Sequence, residues 1–267
     1  MGPRLFKAQG PPPTGSGERS PFWGLGVSPP SRLGLLLDLP PAPHEERLRH
    51  SWDPAQSSPN MTVGAEDRRT ARRCPASSSS DCVRAGPGYR EGLHVWEVVW
   101  PSGQRGSHAA VGVGTARARL QAPGYSALVG SDSESWGWEL GRNQLYHGSK
   151  VPAPGTYPPS PGGPLPVPPS FLLILDADQG SLSFLVDGEY LGAAFTGLRG
   201  RTLYPMVSSV WGDSSITLTY INSVDHQPAR LEALCRWRVR LSLGSEGMSG
   251  VSTLPLPPSL HAYLRGT

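Results

Sequence analysis

The chain carries little charge and few cysteines. Asp, Glu, Lys and Arg make up 17% of its 267 residues, against a usual share of about 25%. The two signs nearly cancel: 24 Lys and Arg oppose 21 Asp and Glu, leaving +3. That surplus is too small to argue by itself for nucleic acid as partner. No apolar run reaches the ~18–20 residues that span a bilayer. The opening MGPRLFKAQGPPP lacks the charged-then-apolar layout of a secretory signal. Phe6 stands where a myristoylation pattern needs Ser or Thr. Cys74, Cys82 and Cys235 are an odd count without metal spacing. They suit free thiols in a reducing, cytoplasmic (cytosolic) setting, with a Cys74–Cys82 disulfide as the alternative. Asn60-Met61-Thr62 fits the glycosylation triplet, which carries meaning only in a secreted chain.

Catalytic signatures are missing too. Gly-x-Ser-x-Gly, His-Glu-x-x-His, paired Cys-x-x-Cys and the phosphate loop do not occur. The seven histidines are scattered. His108 and His147 flank candidate strands, where a hydrogen-bonded structural role is the plain reading. Asp176 and Asp178 fall in a turn, where Asp side chains bond the local backbone rather than a metal. No metal and no cofactor is expected, nor an enzyme.

What is abundant is Gly and Pro: 33 and 30 residues, about 24% of the chain. Neither tolerates helix interiors, so an all-helical bundle is excluded. Residues 1–31 hold seven prolines among many Gly and Ser, the composition of a disordered tail. Arg32–Leu39 is a short apolar piece stopped by Pro40-Pro41, suited to one or two helical turns packed on the body. From residue 88 the texture is that of strands. Leu93–Trp100 and His108–Gly114 come first, then Ala127–Gly130, Ser135–Leu140 and Gln144–His147. Phe171–Asp176 is unbroken apolar sequence, suiting a strand covered on both faces. Ala177–Gly180 turns the chain into Ser181–Val186, and Asp187-Gly188 is a strong hairpin signal. Tyr190–Phe195, Leu203–Val210 and Ser215–Ile221 follow. Short strands at this spacing predict a mainly β, antiparallel sandwich. Val151–Pro169 holds nine prolines in 19 residues and reads as an exposed loop. No internal repeat is seen.

The last 40 residues differ. Ala229–Leu243 lacks Gly and Pro, and Leu231, Cys235, Val239 and Leu243 recur every four, with Leu234 and Leu241 beside them. Pro228 can open this helix and Gly244 end it. Arg236, Trp237, Arg238 and Arg240 line the other face, expected to be solvated. Leu254-Pro255-Leu256-Pro257 is a stiff extended piece leading into a short helix. Trp136 and Trp138 lie on one strand face, where core packing is the simple reading. Trp211, beside Gly212 at a strand end, is a better binding candidate.

Gly92-Leu93-His94-Val95-Trp96, Gly130 to Leu140, Leu173–Phe184, Asp187-Gly188 and Leu203-Tyr204-Pro205 resemble a SPRY (B30.2-type) domain. With the C-terminal helix and the Leu-Pro-Leu-Pro segment, the chain is similar to the SPRY domain-containing SOCS box (Gustavus-like) family. The resemblance implies a bent antiparallel β-sandwich over residues 32–226 and a small helical SOCS box over 227–267. It implies a loop pocket that captures Asp-Ile-Asn-Asn-Asn-like linear motifs. The family's Arg-x-Pro-x-Ala-Gln maps onto Arg73-Cys74-Pro75-Ala76-Ser77-Ser78, with Ser77 and Ser78 replacing Ala and Gln. Its Tyr maps onto Tyr125 and its Val-Trp-Gly onto Val210, Trp211 and Gly212. On this reading Arg73 offers its donors to the peptide, Tyr125 and Trp211 are rigid walls, and Gly212 admits backbone.

The SOCS-box resemblance implies that Leu231, Leu234, Cys235 and Val239 bind Elongin B/C and that Leu254, Pro255, Leu256 and Pro257 select cullin-5 and its RING subunit. The expected function is a non-catalytic adaptor for target ubiquitination and proteasomal degradation. Family targets include inducible nitric oxide synthase and Vasa-type helicases; nucleic acid and membrane are not expected partners. The alternative is a peptide-binding module whose C-terminal helix packs on its own sandwich, without ligase coupling.

Overall fold

The computed structural model describes residues 20–150, 155–160, 163–224, 235–236, 238–240, 242–243 and 250–265. Its body is two antiparallel sheets, as the strand spacing predicts. Sheet A runs β1 (Trp52–Ser57), β4 (Ser79–Ala85), β13 (Tyr204–Ser209), β6 (Ala110–Gly114), β8 (Ser135–Glu139) and β9 (Gln144–His147), with β7 (Gln121–Pro123) also on β4. Sheet B runs β12 (Glu189–Phe195), β11 (Ser181–Val186), β10 (Ser170–Asp176), β5 (Leu93–Val99), β14 (Ser215–Val224), β3 (Thr70–Arg73) and β2 (Met61–Val63).

The unbroken apolar run at β10 is covered on both faces. Phe171, Leu173 and Leu175 point between the sheets, where they meet Trp96, Val98, Trp138, Phe184 and Leu218. Leu172 and Ile174 point outward beside Leu93, Val95 and Leu185. Helix α1 (Ser31–Asp38) covers that outer face with Leu33 and Leu36, both fully buried. A second short helix, α2 (His44–Arg49), follows it. The β11–β12 turn has positive φ at both Asp187 and Gly188, 50° and 83°, the mirror-image turn that matches strand twist.

Three expectations change. Ala127–Gly130 is not a strand. Leu128 and Val129 instead cap the outer face of sheet A, packed with Cys82, Ala110 and Met206. Val129 N–H donates to Ser208 Oγ, so burial is met by a side chain rather than a ladder. The proline-rich loop is only partly exposed: Tyr157 and Val167 are buried. Tyr157 Oη donates to the Gly192 carbonyl and accepts from Phe184 N–H. Residues 20–30, grouped with the tail on composition, pack on the sandwich. Phe22 is fully buried in the main core, and Val27 N–H donates to Tyr190 O on the edge strand β12. One aromatic side chain outweighs the surrounding Gly and Pro.

All three cysteines are free, Cys82 buried and the other two exposed. Among the described residues there is no cluster of metal-ligating side chains and no helix long and apolar enough to cross a membrane.

Candidate functional site

β3 ends at Arg73 in sheet B and β4 begins at Ser79 in sheet A, so residues 74–78 must carry the chain between sheets. This loop is pinned from inside. Arg73 Nε donates to Asp81 Oδ2 at 3.0 Å, and Nη2 donates to the carbonyls of Ala76 and Ser79 at 3.1 and 3.0 Å. Asp81 Oδ1 accepts from Ser58, Asn60 and Ser79 at 3.0 Å and from Gln121 at 3.1 Å. Both charged side chains are fully buried. Such a pair is favoured when its other lone pairs and protons find partners; four donors supply those of Asp81 Oδ1. Arg73 Nη1 is buried without a hydrogen-bond partner.

Arg73 is therefore placed differently from the expectation that it presents a guanidinium fork to a peptide. The buried Asp81 carboxylate draws it inward, and its role here is to shape the loop.

The Tyr125 segment is fastened to this loop. Ser78 N–H donates to Tyr125 Oη at 2.9 Å and Gly124 N–H to the Ser78 carbonyl at 2.9 Å. Ser80 Oγ donates to the Gly124 carbonyl at 2.9 Å and accepts from Ser126 N–H at 2.8 Å. The Tyr125 ring is left 55% exposed with its hydroxyl already engaged.

The third segment, residues 210–214, is tied to Arg73 by backbone. Asp213 N–H donates to the Arg73 carbonyl at 2.8 Å, and Arg73 N–H to the Ser214 carbonyl at 2.9 Å. Gly212 lies against Pro75: a Cβ there would stand 3.1 Å from Pro75 Cα. Trp211 rests on Gly106, whose φ is +61° and whose added Cβ would stand 2.9 Å from Trp211 Cβ. The indole is thus supported on one side and 50% exposed. Pro75 and Ser77 are exposed, and Val210 and Gly212 half-buried. The structure brings the three sequence-predicted segments together around one loop. The result is an internally hydrogen-bonded surface with two half-exposed aromatics. A separate cleft lined by Arg90, Glu91, Asp178 and Arg199 shares no residue with it.

Sequence reasoning missed the supports. Gly106 under Trp211 and Gln104, whose Oε1 accepts from Ser215 N–H at 2.9 Å, sit between strands and carry no motif. Asp81 stands in β4, three residues past the Arg73–Ser78 match. Trp138 is fully buried and Trp136 5% exposed, as core packing predicts. His147 Nδ1 lies 2.9 Å from the Ser135 carbonyl, a structural bond.

At the C-terminal end, residues 235–236, 238–240 and 242–243 are helical; Leu231, Leu234 and Trp237 lie outside the described residues. Cys235 is exposed and Val239 is 40% exposed. Arg236 and Arg240 turn the other way, which corrects the expected solvated basic face. Arg240 Nε reaches Asp38 Oδ1 at 2.8 Å, and Arg236 Nε stands 4.0 Å from Asp38 Oδ2. Burial raises the Asp38 carboxyl above the usual carboxylate range, with Arg240 and Arg236 offsetting part of it. Arg238 stays exposed. Farther on, Leu254 and Leu256 are half-buried while Pro255 and Pro257 are exposed. Helix α3 (Pro258–Arg265) follows directly.

A family model for the SPRY domain matches residues 93–221, and one for the SOCS box matches residues 227–265. SPRY domain-containing SOCS box protein 1 of Homo sapiens is 50% identical over 243 residues, 90% of this chain and 89% of that protein. The chain belongs to the SPRY domain-containing SOCS box family. Protein gustavus of Drosophila melanogaster is 48% identical over 238 residues, 88% of this chain and 85% of that one. Among solved structures, the TRIM65 PSpry domain is similar with a TM-score of 0.50, covering 72% of this chain and 97% of that one. At 17% identity this likeness speaks for the fold alone. A SPRY/SOCS-box protein is a substrate-recognition adaptor of a cullin-RING ligase, and its family role is that of a non-catalytic receptor.

Proposed function

We propose that this protein couples short Asn-rich linear motifs to a cullin-5 RING ubiquitin ligase in the cytosol. Residues 32–226 act as the recognition module and 227–267 as the recruiting module. Tyr125, Trp211, Val210, Gly212, Pro75 and Ser77 contact an Asp-Ile-Asn-Asn-Asn-like peptide, and Arg73 holds their loop in shape. Asn side chains present donors and acceptors together, so each must be matched or lose about 1–3 kcal/mol. A surface that is already hydrogen-bonded within itself meets them without first ordering. Targets of the inducible nitric oxide synthase and Vasa-type helicase kind fit this class.

Leu231, Leu234, Cys235 and Val239 bind Elongin B/C, and Leu254, Pro255, Leu256 and Pro257 select cullin-5. The single observation that carries the coupling is the orientation of the C-terminal helix. Its basic residues Arg236 and Arg240 face the body of the protein, and its apolar residues Cys235 and Val239 face outward. A helix that merely packs on its own sandwich would be turned the opposite way. Apolar residues four apart held outward, as Cys235 and Val239 are, suit a helix that binds in a groove. The adaptor does no bond chemistry: it raises the local concentration of a target lysine near charged ubiquitin, and the target is degraded.

The test is reconstitution with Elongins B and C, cullin-5 and its RING subunit, using a fused Asp-Ile-Asn-Asn-Asn target. Ubiquitination that needs both the peptide and the SOCS box supports the proposal. Peptide binding without Elongin recruitment favours the uncoupled module instead.

A further inference from the structure

Helix α1 is held at both ends by charge, but by two different partners. At its start, Arg32 Nη2 donates to Asp178 Oδ2 at 2.7 Å and to the Val224 carbonyl at 3.2 Å, with Asp176 3.7 Å from Nη1. Those residues belong to the β10–β11 turn and the end of β14, within the sandwich. At its far end Asp38 Oδ1 pairs with Arg240 Nε at 2.8 Å, while Arg236 Nε stands 4.0 Å from Oδ2 without a hydrogen bond. These arginines continue into α3: the Arg236 guanidinium lies 5.1 Å from the Tyr263 ring centre, and Arg240 Nη1 donates to the Leu264 carbonyl at 3.1 Å. Leu33 and Leu36 lock the middle of α1 onto sheet B. The bracket therefore runs from the sandwich through α1 to both helical pieces of the recruiting module.

We propose that Asp38 is a positioning residue for ubiquitin transfer. Its contacts with Arg236 and Arg240 fix the angle between the peptide-binding sandwich and the ligase-recruiting helices. This rests on the adaptor reading above. The side chain of Asp38 is 16% exposed, and those of Arg236 and Arg240 are 15% and 25% exposed. Desolvation offsets much of the attraction in a pair this far buried, so little of its effect is in stability. The raised Asp38 carboxyl is the sign of that offset. A loosened angle leaves both binding surfaces intact but spreads the positions a bound target can occupy, which lowers effective concentration at the transfer site.

The experiment uses the full chain bound to Elongins B and C, with spin labels attached by non-cysteine chemistry at the exposed Thr202 and Ser259. Wild type should give one narrow distance distribution. Asp38→Asn should broaden it and cut ubiquitination of a bound target several-fold, with peptide affinity and Elongin binding unchanged. Arg240→Gln should broaden it likewise, and Asp38→Glu, which keeps the charge, should narrow it again. An unchanged distribution in Asp38→Asn, or no recovery in Asp38→Glu, overturns the positioning role. Absence of ligase activity in wild type with a distribution that still depends on Asp38 overturns the adaptor reading and leaves standing only the angle that Asp38 fixes.

Discussion

The backbone N–H of Ser78 donates to the hydroxyl of Tyr125 at 2.9 Å. The link joins the loop between the two sheets to the segment after β7, and Ser78 adopts a positive φ of 51° to make it. The aromatic wall is thereby fixed before any peptide arrives. Tyr125→Ala should weaken an Asn-rich peptide by about 1–3 kcal/mol, as loss of an interface anchor does. Tyr125→Phe keeps the ring but frees Ser78 N–H, and should cost about 0.5–1.5 kcal/mol. Titration calorimetry reads both; equal affinity in all three proteins moves the peptide elsewhere.

Trp211 depends on having no side chain beneath it. Gly106→Ala would place a Cβ 2.9 Å from Trp211 Cβ at a φ of +61°. The substitution should shift Trp211 fluorescence and reduce peptide affinity several-fold, while the far-ultraviolet circular dichroism stays that of wild type. Gly212→Ala should act similarly by pushing Pro75, 3.1 Å away.

Asp81→Ala strands a fully buried guanidinium. Breaking a buried pair on one side costs about 3–5 kcal/mol. Urea unfolding should show that loss, and the surviving folded protein should bind peptide weakly because the 74–78 loop has lost its pin.

His50 gives a pH dependence. It stacks on Tyr220 at 4.0 Å, and its Nδ1 and Nε2 stand 2.6 and 3.1 Å from Tyr89 Oη and a Glu46 carboxylate oxygen. Burial lowers its pKa below 6.5; Glu46 opposes this and Arg49 adds to it. The folded state therefore takes up the proton less readily than the unfolded chain. Stability from this group is complete above about pH 6.5 and falls as pH drops through the folded value. Thermal melts from about pH 7 to 5 should show a decline that is shallower in His50→Gln, and an identical slope would assign it to other groups.

Much of this was legible in the sequence. β10 announced two covered faces by five apolar residues in a row, Phe171 to Leu175, and the every-fourth pattern of Cys235 and Val239 placed a helix. Strands β1 to β4 were not legible as strands, because Trp52–Ser57 contains Pro54 and β4 reads Ser-Ser-Asp-Cys-Val-Arg-Ala. Its polar residues are buried by pairing with one another, notably Asp81 with Arg73, which no local pattern encodes. Motif matching brought Arg73 to notice, while only three-dimensional packing shows that it faces inward. Which face of the C-terminal helix meets the body was equally hidden, since it turns on Asp38, about 200 residues away along the chain.

The most direct test mixes the purified full-length protein with stoichiometric Elongins B and C and follows the mixture by size-exclusion chromatography. One co-eluting complex is expected, lost in Leu234→Asp with Cys235→Asp although that variant still binds the Asn-rich peptide. A wild-type protein that elutes apart from the Elongins would contradict it.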